Sequence, residues 1–245
     1  MFLTFFTQGI TMSYIFNPSK TVGLPILHHD KLFPVHRVYC VGRNYAEHAK
    51  EMGSDPKREP PFFFCKHSDA QSIIPIANNH TVHIPYPTQT HDFHYEIELV
   101  VALASGGKNI KPADAMQCVF GYAIGLDMTR RDLQNQMKQQ GRPWEAGKAF
   151  DFAAPIGEIC PISYAGEIEN ARICLKVNGK TVQQGNIHEL IWNIAQTIGE
   201  LSKLFELCAG DLIFTGTPKG VGSVVSGDVM MGEITGLPGI CVVVD

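Results

Sequence analysis

Residues 94–103 read HYEIELVVAL and are the most informative stretch of the sequence. The apolar residues predict a buried β-strand, in which successive side chains point to opposite faces. Glu96 and Glu98 therefore share one face of this strand. Two carboxylates drawn out of water on one face are costly unless a cation or a shared proton compensates them. A bound cation is the simpler explanation, although a lone Glu-x-Glu pair also occurs on exposed strands that bind no metal.

Short β-type runs surround this strand and alternate irregularly with few helices. The predicted strands cover residues 35–41, 61–66, 94–104, 119–126, 172–177, 212–215, 229–234 and 240–244. The pair Asn178-Gly179 predicts a hairpin turn, and apolar spacing over residues 188–207 predicts one amphipathic helix. These patterns indicate a β-rich α+β fold, with residues 1–34 as an irregular N-terminal lead-in and residues 35–245 as the main domain.

Composition narrows the class of partner. The chain has 245 residues, of which 44% are hydrophobic, and a formal net charge of -4. Because no broad basic surface is expected, we predict a small-molecule partner and no nucleic acid. No segment is long and apolar enough to be transmembrane, so no membrane partner is expected either.

The cysteines and the N-terminus bear on localisation. Seven cysteines form an odd, scattered set without C-x-x-C spacing, which is typical of reduced thiols in a cytoplasmic protein. Residues 1–11 lack the basic start and the cleavage site of a signal peptide. A vector-derived or alternative start is the simplest interpretation of that stretch.

A third carboxylate, Asp127, ends the apolar run that precedes the helix-like residues TRRDLQNQMKQQ. It is either a metal ligand at a strand end or an N-cap that bonds helix amides. An all-oxygen ligand set favours Mg²⁺, Mn²⁺ or Ca²⁺ over zinc.

His48 and Glu51 lie three residues apart in GRNYAEHAKEMG, where Asn44 can cap a short helix. A carboxylate that orients an imidazole and raises its basicity makes a water-activating base near neutral pH. An ordinary surface pair is the alternative interpretation. Arg43, at the entrance to this helix, suits an anionic substrate.

Two further segments contribute positive or partly positive groups. Lys148 in WEAGKAFD is a candidate for stabilising an oxyanion, or else a lysine that snorkels from the core edge. The segment FTGTPKGVG, residues 214–222, offers backbone amides for an anion nest around Thr217, or else a plain glycine-rich turn.

Together these segments resemble the fumarylacetoacetate hydrolase family from about residue 33 to the C-terminus. The matching segments are VYCVGRNYAEHAKE, PFFFCKHSDA, HYEIELVVAL, GYAIGLDMTRRDLQ, WEAGKAFD and FTGTPKGVG. The resemblance implies a family-type fold with a mixed β-roll, a homodimer, and a Mg²⁺ or Mn²⁺ site, with Ca²⁺ as a substitute in crystals.

The resemblance also implies roles for individual residues. The metal ligands fall on Glu96, Glu98 and Asp127, and the catalytic residues on His48, Glu51 and Lys148. The residues implied at the substrate pocket are Arg43, Lys66, Arg130, Gln134 and Thr217.

Within the family, the chain is most similar to members that hydrolyse 3-fumarylpyruvate to fumarate and pyruvate in gentisate degradation. Arg130, Arg131 and Arg142 are candidates for binding the distal carboxylate of such a substrate. Another acylpyruvate hydrolase or an oxaloacetate decarboxylase on the same scaffold is the first alternative. A non-catalytic protein that binds a metal or an anion is the second.

Overall fold

The structure is a computed structural model and describes residues 14–47 and 59–245. The strands are β1 (Gly23–Pro25), β2 (Leu32–Pro34), β3 (Val38–Gly42), β4 (Phe62–Lys66), β5 (Ile73–Ile76), β6 (Thr81–Ile84), β7 (Phe93–Tyr95), β8 (Ile97–Leu103), β9 (Val119–Leu126), β10 (Thr129–Arg130), β11 (Ala154–Gly157), β12 (Cys160–Pro161), β13 (Arg172–Val177), β14 (Lys180–Asn186), β15 (Leu212–Phe214), β16 (Gly222–Ser223), β17 (Val229–Ile234) and β18 (Ile240–Val244). The α-helices are α1 (Pro112–Ala115), α2 (Arg131–Gln140), α3 (Glu145–Lys148) and α4 (Ile194–Leu204). Short 3-10 turns cover Met116–Cys118, Ile168–Asn170 and Ile187–Glu189.

The largest sheet has eight strands in the order β4-β3-β15-β8-β9-β11-β5, with β12 also paired to β9. β3 runs parallel to β15 and β5 runs parallel to β11, whereas the other pairs are antiparallel. The sheet is therefore mixed. This confirms the prediction of a β-rich α+β fold without repeated βαβ units.

Strand β8 lies inside this sheet, and all seven of its residues are buried. Its side chains alternate between two apolar cores, as the period of a strand requires. Ile97 and Leu99 pack into the larger core, while Val100 and Ala102 pack into the smaller one on the opposite face. Glu98 has the same parity as Val100, so it continues the face of the smaller core where the apolar residues stop.

The second sheet has five strands in the order β14-β13-β17-β18-β6 and packs on the larger core. The turn between β13 and β14 contains Asn178 with φ 49° and Gly179 with φ 79°. Both values lie in the left-handed region that this two-residue hairpin turn requires. The predicted hairpin is confirmed.

Strands β1 and β2 form an antiparallel hairpin within the predicted lead-in. Leu24 and Phe33 from this hairpin are buried in the smaller core beside β8 and β15. Chain segments before residue 35 thus cover one face of the main sheet. The domain boundary at residue 35 stays a prediction.

The predicted helix over residues 188–207 is shorter in the structure. It begins at Ile194 because the Asn193 side chain accepts a hydrogen bond from the Gln196 amide and the Gln196 side chain bonds back to the Asn193 amide. This capping box fixes the helix start six residues after residue 188, where the predicted helix begins. No helix in the described ranges is long and apolar enough to cross a membrane.

Candidate metal centre and substrate pocket

Three buried carboxylates converge at the open end of β8. Glu96, Glu98 and Asp127 each offer an oxygen atom, and these atoms all lie within 4.8 Å of one another. Asp127 directly follows β9, and its amide donates to the Glu96 carbonyl over 2.8 Å. The N-cap of α2 is Arg130, so the alternative that Asp127 caps the following helix is wrong.

The chain leaves regular strand geometry at Glu96. β7 ends at Tyr95 and β8 begins at Ile97, although one continuous strand was predicted. The Ile97 amide donates to the Gln183 side-chain oxygen over 3.0 Å, and the Ile97 carbonyl accepts from the Thr217 hydroxyl over 2.7 Å. Side chains therefore replace a neighbouring strand at this position and satisfy a buried backbone.

Gln183 is a site residue that sequence reasoning missed. It lies on β14 and is 1% exposed, and its side-chain amide also donates to Thr217 Oγ1 and to the Pro218 carbonyl, each over 2.8 Å. The pattern of β14 carries no signal for this role, because the hairpin reaches the site only through tertiary packing.

Three buried cations surround the carboxylates. Lys148 Nζ lies 2.8 Å from both Glu96 Oε2 and Asp127 Oδ2. Lys66 Nζ lies 2.7 Å from Asp127 Oδ1, and Arg131 pairs with Glu96 Oε1. Burial lowers the pKa of Lys148, but the carboxylates of Asp127 and Glu96 outweigh it and hold that pKa above its ordinary value. Lys148 is therefore a charged group.

Glu98 has a different environment from its two neighbours. Its Oε2 accepts a 2.6 Å hydrogen bond from the Gly216 amide, and no ion pair to Glu98 occurs in residues 14–47 and 59–245. Burial, and then the charges of Asp127 and Glu96, raise the pKa of Glu98 well above its ordinary value. A divalent cation at the three carboxylates would relieve this penalty, so the donor set fits a hard metal ion.

These carboxylates form the floor of an open pocket. Five of the other predicted residues line it: Arg43, Arg131, Gln134, Lys148 and Thr217. Phe62, Phe64 and Trp144 supply an aromatic wall, with the Phe62 and Trp144 rings 5.2 Å apart. The pocket thus combines a charged floor with an apolar wall, as small-molecule sites do.

Two of the predicted pocket residues, Lys66 and Arg130, are not part of the pocket lining. The Lys66 side chain is 0% exposed and, besides Asp127, donates to the carbonyls of Met128 and Lys148. Arg130 stacks over the Phe150 ring at 4.4 Å and donates to the Ala146 carbonyl. Both residues therefore contact groups around the pocket and do not line it.

In the glycine-rich segment at residues 214–222, the Gly216 amide donates a hydrogen bond to Glu98, and the predicted binding of a ligand anion stays a prediction. Thr217 lines the pocket, and its hydroxyl donates a hydrogen bond to the Ile97 carbonyl.

His48 and Glu51, the predicted base and its orienting partner, lie outside the described residues. The chain leading to them is fixed by Asn44, whose side chain bonds the Trp192 amide, the Trp192 carbonyl and the Thr215 carbonyl over 2.8–2.9 Å.

A second group with metal-ligand chemistry comprises His36, Cys208 and Asp211. Asp211 is fully buried there and accepts hydrogen bonds from Arg37, from the Cys208 amide and from the His36 ring. Its carboxylate is satisfied by protein donors, which indicates a structural role.

Comparisons with known proteins identify the family of the chain. Residues 37–245 match the family model "Fumarylacetoacetate (FAA) hydrolase C-terminal". A fumarylpyruvate hydrolase of Ralstonia sp is 40% identical over 190 residues, which cover 78% of this chain and 95% of that protein. An oxaloacetate tautomerase of Escherichia coli is 38% identical over 198 residues, which cover 80% of this chain and 87% of that protein.

A solved structure is also similar to this chain. The crystal structure of fumarylpyruvate hydrolase from Pseudomonas aeruginosa in complex with Mn²⁺ and pyruvate aligns with a TM-score of 0.92 and 53% identity. The alignment covers 95% of this chain and 99% of that one. The expected family fold is thereby confirmed, and the chain belongs to the fumarylacetoacetate hydrolase family.

Proposed function

We propose that this protein is a metal-dependent hydrolase that cleaves a C–C bond of an acylpyruvate, with 3-fumarylpyruvate as its substrate. The observation that carries the proposal is the convergence of Glu96, Glu98, Asp127 and Lys148 on the floor of one pocket. The similar proteins include a fumarylpyruvate hydrolase and a structure of such an enzyme with Mn²⁺ and pyruvate.

Glu96, Glu98 and Asp127 are the residues that would hold Mg²⁺ or Mn²⁺. When bound there, a divalent ion supplies positive charge next to the oxygens of the pyruvyl end. Lys148 Nζ lies 2.8 Å from two of these ligands, so its charge is available to an enolate that forms beside them. The buried Lys66 and Arg131 hold Asp127 and Glu96 in place.

In the proposed reaction, His48 oriented by Glu51 removes a proton from water. The water oxygen bonds to the fumaryl carbonyl carbon, and the bond from that carbon to C3 of the pyruvyl group breaks with its electron pair on C3. The pyruvate enolate takes up a proton at C3. One water is consumed, and fumarate and pyruvate are released.

The test follows the enol absorbance of fumarylpyruvate, acetylpyruvate and oxaloacetate with purified protein, in Mn²⁺ and in EDTA. We expect metal-dependent loss of fumarylpyruvate, and His48→Ala should abolish hydrolysis while Mn²⁺ binding survives. No metal-dependent cleavage of any acylpyruvate would sink the hydrolase proposal and favour a non-catalytic metal or anion-binding role.

Oxaloacetate chemistry is the second candidate, supported by the oxaloacetate tautomerase among the relatives. A metal and a lysine can stabilise the enolate of any pyruvyl group, and that chemistry needs no activated water. Turnover of oxaloacetate that survives in His48→Ala, with no cleavage of fumarylpyruvate by the wild type, would select this candidate.

We further propose a cytoplasmic homodimer that acts in aromatic compound catabolism. All seven cysteines are free thiols in the structure, which suits a reducing compartment. Light scattering coupled to size exclusion tests the dimer directly.

A further inference from the structure

One face of helix α2 carries a row of polar residues into the pocket. Arg131, Gln134, Asn135 and Lys138 all line it and stand at positions i, i+3, i+4 and i+7 of the helix. Arg131 and Gln134 are buried and bond to each other at the floor, whereas Lys138 is exposed at the mouth. The helix therefore leads from the metal ligands to the outer end of the pocket.

A second cation reaches the same pocket from β3. Arg43 follows Gly42 in a left-handed conformation, with φ 55°, and its guanidinium lies 5.5 Å from the centre of the Phe62 ring. A non-glycine residue adopts this conformation only when its surroundings hold it there. The contact with Phe62 places the Arg43 guanidinium against the aromatic wall.

The charges of the pocket are unevenly distributed. The three carboxylates of the floor face three buried cations, Lys66, Lys148 and Arg131. Arg43 and Lys138 form no ion pair with any residue in the described part of the chain, and both line the pocket. Burial, and then the charges of Arg43 and Arg131, lower the pKa of Lys138, which agrees with a cluster of like charges. The positive charges of Arg43 and Lys138 are therefore not balanced by an anionic side chain of the described residues.

We propose that Arg43 and Lys138 form a carboxylate-binding subsite at the pocket mouth, which receives the far carboxylate of a flat, unsaturated dicarboxylic acyl group. The inference rests on the proposed function, because the pyruvyl end must bind at the metal ligands. Phe62 and Trp144 line the same pocket, with Phe62 next to the Arg43 guanidinium, and offer flat apolar surface to a conjugated chain. Of the arginines predicted for this role, Arg130 and Arg142 do not line the pocket, and Arg131 is already paired with Glu96.

The test compares fumarylpyruvate with acetylpyruvate, which ends in a methyl group. Lys138→Met should lower kcat/KM for fumarylpyruvate by about 10-fold or more, as expected when a charged hydrogen bond is lost, and leave acetylpyruvate within about 2-fold. Lys138→Arg should retain most of the preference. Lys203→Met, on the exposed side of α4, is the matched control and should leave kcat/KM for both substrates unchanged.

A binding measurement separates this inference from the proposed function. Fumarate is titrated against the protein in EDTA, followed by fluorescence of Trp144, with Trp144→Phe as the spectral control and neutral dimethyl fumarate as the ligand control. We expect fumarate to bind and dimethyl fumarate not to bind. Lys138→Met and Arg43→Met should each weaken fumarate binding about 10-fold, which corresponds to the loss of one charged contact. Equal losses of kcat/KM on both substrates would overturn the subsite. So would a fumarate affinity that is unchanged in both Lys138→Met and Arg43→Met. Absence of all turnover with fumarate binding intact would instead overturn the hydrolase function.

Discussion

Gln183 donates a 2.8 Å hydrogen bond to the hydroxyl oxygen of Thr217, and both side chains are buried beside the carboxylate floor. The same amide group bonds the Pro218 carbonyl, while its oxygen accepts from the Ile97 amide. One side chain from the β13–β14 hairpin thereby ties the loop after β15 to the chain between Glu96 and Glu98.

Gln183→Met keeps the volume of this side chain and removes its three hydrogen bonds. Because the partners are buried, we expect the free energy of unfolding to fall by about 3 kcal/mol. Mn²⁺ affinity should fall as well, since Ile97 separates the two glutamate ligands. Urea unfolding and Mn²⁺ titration measure the two effects. Gln184→Met, at the exposed neighbouring position, is the control, and equal behaviour of the two variants would contradict the prediction.

Lys66→Met removes a fully buried cation next to Asp127. Leaving a buried charge without one of its partners should destabilise the metal-free protein by about 3 kcal/mol. A divalent ion bound at Asp127 would replace much of the lost positive charge. Mn²⁺ should therefore raise the melting temperature of Lys66→Met more than that of the wild type, as measured by differential scanning fluorimetry.

Lys20→Met is the control for this experiment, because Lys20 is exposed and forms no ion pair in the described residues. An equal Mn²⁺ shift in Lys66→Met and the wild type would show that Lys66 and the metal do not act on the same carboxylate.

Glu98→Gln removes one negative charge from the trio and keeps an oxygen that can accept from the Gly216 amide. The metal-free variant should be more stable than the metal-free wild type by about 1 kcal/mol or more, because the buried carboxylates repel one another. It should also lose most of the stabilisation that Mn²⁺ provides to the wild type. Melting curves in EDTA test the gain in metal-free stability, and melting curves in Mn²⁺ test the loss of metal stabilisation.

Glu233→Gln changes an exposed glutamate on β17 and should leave both melting temperatures unchanged. If Glu98→Gln kept the wild-type Mn²⁺ shift, Glu98 would not be a ligand.

Asp211→Asn tests the interpretation that the His36, Cys208 and Asp211 group is structural. Asp211 is fully buried and bonds both Nε and Nη2 of Arg37. Both Asp211 oxygens accept from donors, so an amide nitrogen in place of one oxygen loses buried hydrogen bonds, and the free energy of unfolding should fall by about 2 kcal/mol in EDTA. Asp30→Asn, at a 94% exposed side chain, should have no effect. A wild-type unfolding curve for Asp211→Asn would rule out the structural role.

Several features followed from local sequence because local physics controls them. The alternation in residues 94–103 predicted Glu96 and Glu98 on one side of a strand. The structure brings both carboxylates together, although Glu96 lies at the break between β7 and β8. Asn178-Gly179 predicted its hairpin because few residue pairs accept two left-handed conformations. Motif order was also sufficient for the family, and the comparisons confirm it.

Other features came from contacts between residues distant in the chain. Whether Asp127 was a helix cap or a site carboxylate depended on Lys66 and Lys148, which lie 61 and 21 residues away along the chain and meet it only in the folded protein. The helix start at Ile194 depended on a capping box that outweighed a longer apolar pattern. The predicted pair of His48 and Glu51 stays a prediction.

The trio of Glu96, Glu98 and Asp127 shows both sources of information. Residue types and spacing were enough to predict carboxylates facing one way and a hard cation between them. The compensating cations, the support from Gln183 and the presence of Lys138 and Arg43 in one pocket required the fold, because electrostatic and hydrogen-bond partners are selected by distance in space. Sequence separation carries no information about that distance.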